Sequence, residues 1–289
     1  MGNNASIMHN QHYSDSHQRE IWRVVPELIR ARELLLDLIW KDLRVRYRYA
    51  FMGFFWALLE PLLMTLILTF VFSKVFTAGV ERYGVTTGTG YAAFILVGLI
   101  PWQFLAQSLT MGTRALVDNG NLIQKVYFPR EVVPLAVIGN GLVNFLIGYG
   151  LTLTLFTVLV QAPGVGAVYL LAVFVIQIAL MVGLTLILSC ANVFFRDVSY
   201  MVDAAILFGF YATPVFYPPE MVAAEMPQLY GLYMLNPMAA LLTSYRDLLW
   251  FNTLTQPSLL LSPILCATAM LTLGTWLFRR NAPVFADNF

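Results

Sequence analysis

Lysine is almost missing from this 289-residue chain: only Lys41, Lys74 and Lys125 occur, and all charged residues together make up 11% of the sequence. A soluble domain carries about 25% charge, so a water-facing surface of this size is excluded. Cysteine is scarce too. Cys190 and Cys266 both lie in apolar runs, and no CxxC or clustered His/Cys spacing occurs, which argues against a disulfide framework and a metal site. The histidines, His9, His12 and His17, all fall in the first 20 residues. That stretch is polar and has no hydrophobic h-region, so it is not a secretory signal peptide. Residues 1–19 read as a disordered tail. No G-x-x-x-x-G-K-[ST] is present and no lysine follows a glycine, so the chain has no P-loop of its own. G-x-S-x-G and H-E-x-x-H are also missing, and no nucleophile–base pair is evident, which disfavours a membrane enzyme.

What the chain has instead is apolar length. Hydrophobic residues make up 59% of it and the mean hydropathy is +0.71. Six runs approach the roughly 20 residues that a membrane-spanning helix needs: about 53–76, 91–116, 132–160, 167–194, 200–216 and 258–278. The predicted fold is an all-α integral membrane protein with six transmembrane helices. Polar or proline-bearing breaks separate the runs: ERYGVTTGTG at 81–90, VDNGNLIQKVYFPRE at 117–131, QAPGVG at 161–166 and FFRDVS at 194–199. No internal repeat or matched pair of broken helices appears, which weakens an inverted-repeat secondary transporter.

Orientation follows from the basic residues. With the N-terminus in the cytoplasm, 14 of the 17 Lys and Arg residues fall inside, leaving Lys74, Arg82 and Arg246 outside. The positive-inside rule then places both termini in the cytoplasm and favours an even number of spans.

Four segments outside the spans carry information. Over 20–39, Trp22, Val25, Ile29, Leu36 and Ile39 recur at helical spacing among Arg30, Arg32, Glu33 and Asp37, the pattern of an amphipathic interface helix. The rest of the chain, 40–289, forms the transmembrane domain. WKDLRVRYRYAFMGFFW (40–56) sets Lys41, Arg44, Arg46 and Arg48 directly before a span. These cations suit either a topology anchor or a mouth for anionic headgroups and phosphates, which arginine binds bidentately. The loop 117–131 reads as a plain connector or as a short surface helix on which a soluble motor domain acts. The segment 217–256 divides at Pro218-Pro219, Pro227 and Asn236-Pro237 into three helical fragments that dip partway into the outer leaflet. The last fragment is expected to show Arg246 and Asp247 on a polar face.

Within the spans, Glu60 and Asp203 are the clearest charges, and Asn140, Asn144, Asn192 and Gln177 are candidates for hydrogen bonds between helices. Aromatic residues concentrate at Phe51, Phe54, Phe55 and Trp56, and again at Phe208, Phe210, Tyr211, Phe216 and Tyr217. They read either as lipid-facing and core aromatics or as ring faces on which sugars stack.

Five motifs occur in one order: KDLRVRYRYAFMGFFWALLEPLL (41–63), GLIPWQFLAQSL (98–109), LIQKVYFPREVVPL (122–135), NVFFRDVSYMV (192–202) and YMLNPMAALLTSYRDLLW (233–250). Together they resemble the transmembrane permease subunit of polysaccharide ABC exporters of the ABC-2 type. The likeness is to the O-antigen permease Wzm, with the capsule permease KpsM and the teichoic-acid permease TagG as relatives. An exporter of drugs or small lipids is the alternative within the same class.

The resemblance implies a homodimer in the bacterial inner membrane, paired with two copies of a Wzt-like ABC ATPase. That partner binds ATP and Mg, and this chain takes no cofactor. The implied cargo is a lipid-linked polysaccharide, with membrane lipids around the protein and no nucleic acid. The resemblance further implies that Arg44, Arg46, Tyr47, Arg48 and Tyr49 belong to a gate region. Phe51, Phe54, Phe55, Trp56, Phe208, Tyr211, Phe216 and Tyr217 become candidates for the sugar-conducting surface. Asp118, Asn119, Asn121, Leu122, Ile123, Lys125, Tyr127 and Phe128 would couple to the ATPase. The short helices of 217–250 would be periplasmic and re-entrant.

Overall fold

The computed structural model describes residues 24–48, 55–80, 88–254 and 257–288. The tail 1–19, Trp22, Tyr49, Phe51 and Phe54 lie outside the described residues. The twelve helices described are α1 (Val24–Arg30), α2 (Arg32–Arg48), α3 (Phe55–Val80), α4 (Gly88–Asp118), α5 (Gly120–Lys125), α6 (Val132–Leu159), α7 (Leu170–Phe194), α8 (Val198–Ala212), α9 (Pro219–Glu225), α10 (Pro227–Tyr233), α11 (Pro237–Trp250) and α12 (Leu261–Asn281). Short 3-10 turns cover Val165–Tyr169, Pro257–Leu260 and Ala282–Asn288.

Long apolar runs become helices because a helix satisfies its own backbone hydrogen bonds where water cannot. Among the described residues, four stretches are long and apolar enough to cross a membrane: Thr89–Asp118, Val132–Leu159, Val165–Phe194 and Ser258–Phe285. Leu58–Phe72 in α3 and Val198–Ala212, which is α8, are shorter apolar stretches.

Helix α4 is the axis of the bundle and touches α3, α6, α7, α8 and α11. Over an apolar 18-residue stretch of α4, 78% of the residues are buried, against 17% over a stretch of that length within Ser258–Phe285, the segment that includes α12. Pro101 interrupts α4 and removes one backbone donor. Gln177 of α7 braces that point: its Nε2 donates to the Pro101 carbonyl at 2.8 Å, and its Oε1 accepts from the Tyr245 hydroxyl at 2.9 Å. Gln177 thus holds three helices together, in the interhelical role expected of it.

Among the described helices, α7 and α12 pack most extensively against each other. A Cβ on Gly274 would collide with the Gly183 carbonyl, and one on Gly183 with the backbone of Met270 and Leu271. Small residues that let two backbones meet are the usual solution inside a membrane, where dispersion drives helix association.

The three proline-bounded fragments form as the sequence predicts. Pro219, Pro227 and Pro237 each open a helix, a position where the missing N–H costs nothing. Asn236 caps α11 by accepting from the Met238 N–H at 3.0 Å. One expectation is corrected. Helix α11 shows no polar face, because Met238 through Trp250 are all buried, Arg246 and Asp247 included. The fifth apolar run also ends earlier than predicted: α8 stops at Ala212, and Thr213 continues in extended backbone.

Candidate functional site: the two ends of the bundle

At one end, Asn119-Gly120 stops α4 and turns the chain into the six-residue α5. Asn119 Nδ2 donates back to the Ala115 carbonyl at 2.9 Å, while the Asn119 carbonyl accepts from the Leu122 and Ile123 N–H groups. Ile123 is buried with Leu116, Val193, Phe278 and Phe285. Leu122 and Phe128 lie half-buried against Leu38, Val132 and Ala136. Asp118, Asn121, Lys125 and Tyr127 face outward, Tyr127 with 88% of its surface exposed. Of the eight residues expected to meet a partner, these four are exposed. Ile123 serves as the anchor beneath them, and Asn119, Leu122 and Phe128 are half-buried between the two.

Helices α1 and α2 lie on the same end. The stripe that packs is Leu28, Leu34, Leu35, Leu38 and Ile39, set against Val132 and Ala136 of α6. A Cβ on Gly139 would run into Ile39. Ile29 and Leu36, expected on the apolar stripe, are instead 60% and 52% exposed. The helix has apolar residues on two faces, and periodicity alone does not say which one meets protein.

Helix α2 then runs on without a break through Lys41, Arg44, Arg46, Tyr47 and Arg48. Asp37, Trp40, Lys41 and Arg44, spaced i, i+3, i+4 and i+7, line a recess of about 270 Å³. Phe55 opens α3 with its ring exposed, and Trp56 follows it in the same helix.

Sequence reading missed what Arg279 does, having counted it only among the cations on the cytoplasmic side. Its side chain is 7% exposed and pairs with Glu27 Oε2 at 2.8 Å and Glu131 Oε1 at 3.2 Å. One guanidinium therefore ties the start of α1 and the entry to α6 to the end of α12. Glu27 and Glu131 are 104 positions apart, so no local motif points to this triad. Equally hidden from sequence is the pair between Arg114 of α4 and Asp203 of α8, 89 positions apart, at 2.5 Å and half-exposed.

At the other end, the residues between α8 and α9 are gripped from α4 and α11. Arg246 of α11 is fully buried. Its Nη1 donates to the Pro214 carbonyl and its Nη2 to the Val215 carbonyl, both at 2.6 Å, and Nε and Nη2 reach the Phe94 carbonyl at 3.4 Å. The guanidinium lies 3.7 Å from the centroid of the Phe94 ring. Tyr91 donates to the Phe216 carbonyl at 2.5 Å, and Asn236 Nδ2 to Thr213 Oγ1 at 3.0 Å. A buried charge costs little when backbone dipoles replace its water shell, and Arg246 has that replacement.

The aromatic residues of 208–217 divide by environment. Phe208 and Tyr211 are 74% and 62% exposed on one face of α8, together with Tyr200, Met201 and Leu207. Phe216 is buried instead, with Phe72, Phe210, Tyr211 and Tyr217 around its ring at 5.2–6.1 Å. It supports the exposed face from behind. Tyr217 is half-buried, donates to the Tyr211 carbonyl at 2.8 Å and accepts from the Tyr233 hydroxyl at 3.2 Å. Burial raises both the Tyr217 and Tyr233 hydroxyls above the usual tyrosine value, so both stay protonated. Among the described residues no group of His, Cys, Asp or Glu has the geometry of a metal site.

This arrangement holds an outward-facing loop at one end, a clamped turn at the other, and an apolar–aromatic helix face between them. Comparison with known proteins gives it a family. The profile of the ABC-2 type transporters matches residues 33–250. The chain belongs to the ABC-2 type transporter family. An O-antigen export system permease protein, RfbA, from Myxococcus xanthus is 32% identical over 266 residues, covering 92% of this chain and 99% of the relative. A protein of the same name from Klebsiella pneumoniae is 31% identical over 223 residues, 77% of this chain and 82% of its own length. This family member is therefore a multi-pass membrane protein and a transport subunit, and all five sequence motifs fall within the matched region.

Proposed function

We propose that the chain is the channel-forming permease subunit of an ATP-driven exporter that carries lipid-linked polysaccharide, of the O-antigen type, across the bacterial inner membrane. The end-to-end match to an O-antigen export permease carries this reading. Two copies form the channel and each engages a separate ABC ATPase, which binds ATP and Mg. Helices α3, α4, α6, α7, α8 and α12 are the six crossings, with both termini in the cytoplasm. Helices α9 and α10 re-enter the outer leaflet.

In this reading, the loop carrying Asp118, Asn121, Lys125 and Tyr127 is where the ATPase presses. Arg44 of α2, with Arg46, Tyr47, Arg48 and Tyr49 after it in sequence, meets the phosphate of the lipid-linked cargo, since a guanidinium fork suits phosphate oxygens. Phe51, Phe54, Phe55 and Trp56, with Phe208, Tyr211 and Tyr217, offer ring faces to the passing sugars. Phe216 stiffens that surface.

Deletion of the gene in its native host tests the function. Surface-labelled glycan should fall to background while lipid-linked glycan accumulates inside. The lipid anchor of the retained material distinguishes O-antigen from capsule or teichoic acid. Unchanged surface glycan, in a host without a redundant exporter, overturns the assignment and leaves the small-amphiphile exporter in its place.

A further inference from the structure

Beyond α12 the chain folds back on the bundle. Ala282–Asn288 coils into a 3-10 turn that lies against α5, α7 and α12. The segment APVFADN sends one large side chain inward. Phe285 is fully buried, its ring 5.2 Å from Phe278 at 78° and 6.3 Å from Phe194. Ile123 of α5 belongs to the same cluster. From the far side of the loop, Arg130 donates to the Ala282 carbonyl. The turn therefore engages the α5 loop at two points, one apolar before Lys125 and one polar after it.

Six residues are too few for a helix to hold its shape alone. A push on such a loop is dissipated unless something rigid stands behind it. Close-packed side chains provide rigidity because they have few alternative arrangements. Behind Ile123 that backing is Phe285, wedged between the ends of α7 and α12.

We propose that the turn Ala282–Asn288 is an abutment for the α5 loop, with Phe285 and Arg130 as its positioning residues. It passes displacement of the loop into α7 and α12. The proposal rests on the reading that the partner ATPase presses on this loop.

The test uses the full permease co-expressed with its ATPase, at matched membrane abundance. Three quantities are measured: co-purification of the ATPase, ATP hydrolysis by the complex, and glycan exported per permease. For Phe285→Ala, co-purification and hydrolysis should stay within about twofold while export falls about tenfold; for Arg130→Met export falls about threefold, and Phe285→Leu recovers most of the loss. Arg130 is half-exposed, so its replacement opens no cavity and decides the matter if Phe285→Ala does not accumulate. Unchanged export in both variants overturns the proposal. So does export that falls only in step with co-purification, because the turn would then serve docking alone. The double variant Asn121→Ala, Tyr127→Ala probes the underlying reading separately. If it leaves co-purification, hydrolysis and export intact, the ATPase does not press on this loop, whatever Phe285 shows.

Discussion

Arg246 concentrates more of the molecule's polar bonding than any neighbouring residue in α11. Its guanidinium is the donor for the Pro214 and Val215 carbonyls, in a stretch without regular helix. Arg246→Met leaves those acceptors buried with that donor gone, at about 1–3 kcal/mol each. The expected result is a marked fall in the thermal stability of the detergent-solubilised protein. Arg246→Lys should fall between the two, because an ammonium has no planar fork to span both carbonyls. Gly98 supplies a second probe of the same contact. A Cβ there would lie 2.5 Å from Arg246 Nη2 and 3.0 Å from the Val215 carbonyl, so Gly98→Ala should reproduce much of the Arg246→Met defect. Wild-type melting in both variants would show that the clamp contributes nothing. None of this is legible in the sequence. An arginine beside an aspartate in an apolar helix looks like a polar stripe, and the carbonyls that bury it come from residues 94, 214 and 215.

At the scale of elements, legibility followed local chemistry. The starts of α9, α10 and α11 could be read because proline at the first helical position and an asparagine cap are local signals. The break before α5 could be read from Asn119-Gly120. The packed face of α1 and α2 could not, since choosing between the Leu28–Leu35 stripe and the Ile29–Leu36 stripe requires α6. Helix α8 shows the same division more sharply. Its inner face is fixed by contacts: Gly209 sits where a Cβ would lie 2.8 Å from the Trp102 ring, and Asp203 pairs with Arg114. Its outer face carries Phe208 and Tyr211, both largely exposed, with the Tyr211 ring edge-on to Phe210 and Phe216. The two faces should therefore respond differently to substitution. Gly209→Val should lower the amount of folded protein. The double variant Phe208→Ala, Tyr211→Ala should accumulate normally but lower export per copy about 3–10-fold, if the rings guide sugars. Export equal to wild type in that double variant removes the aromatic face from the conducting path.

For the whole molecule, the proposed six crossings meet a length problem at α8. Its 15 residues span about 22 Å, short of the roughly 30 Å hydrocarbon core. The chain then leaves the helix in a tight turn, Thr213 to Phe216, in which the Val215 N–H donates to the Thr213 carbonyl. Non-helical backbone survives at that depth only when its polar groups are satisfied inside the protein, and here they are: Arg246 takes two of the carbonyls and Tyr91 a third. In the proposed topology the buried arginine and the short helix are two parts of one solution, in which α11 supports the fifth crossing. The topology that results can be checked. Three crossings, α6, α7 and α8, separate Tyr127 from Leu229 of α10, so the two residues should lie on opposite sides of the membrane. Both are exposed, and so suit single-cysteine labelling after Cys190 and Cys266 are replaced. A membrane-impermeant thiol reagent applied from the periplasmic side should modify Leu229→Cys in intact cells and Tyr127→Cys only after the inner membrane is opened. Labelling of both from outside would mean that α8 turns back without crossing, and the face carrying Phe208 and Tyr211 could not then line a path through the membrane.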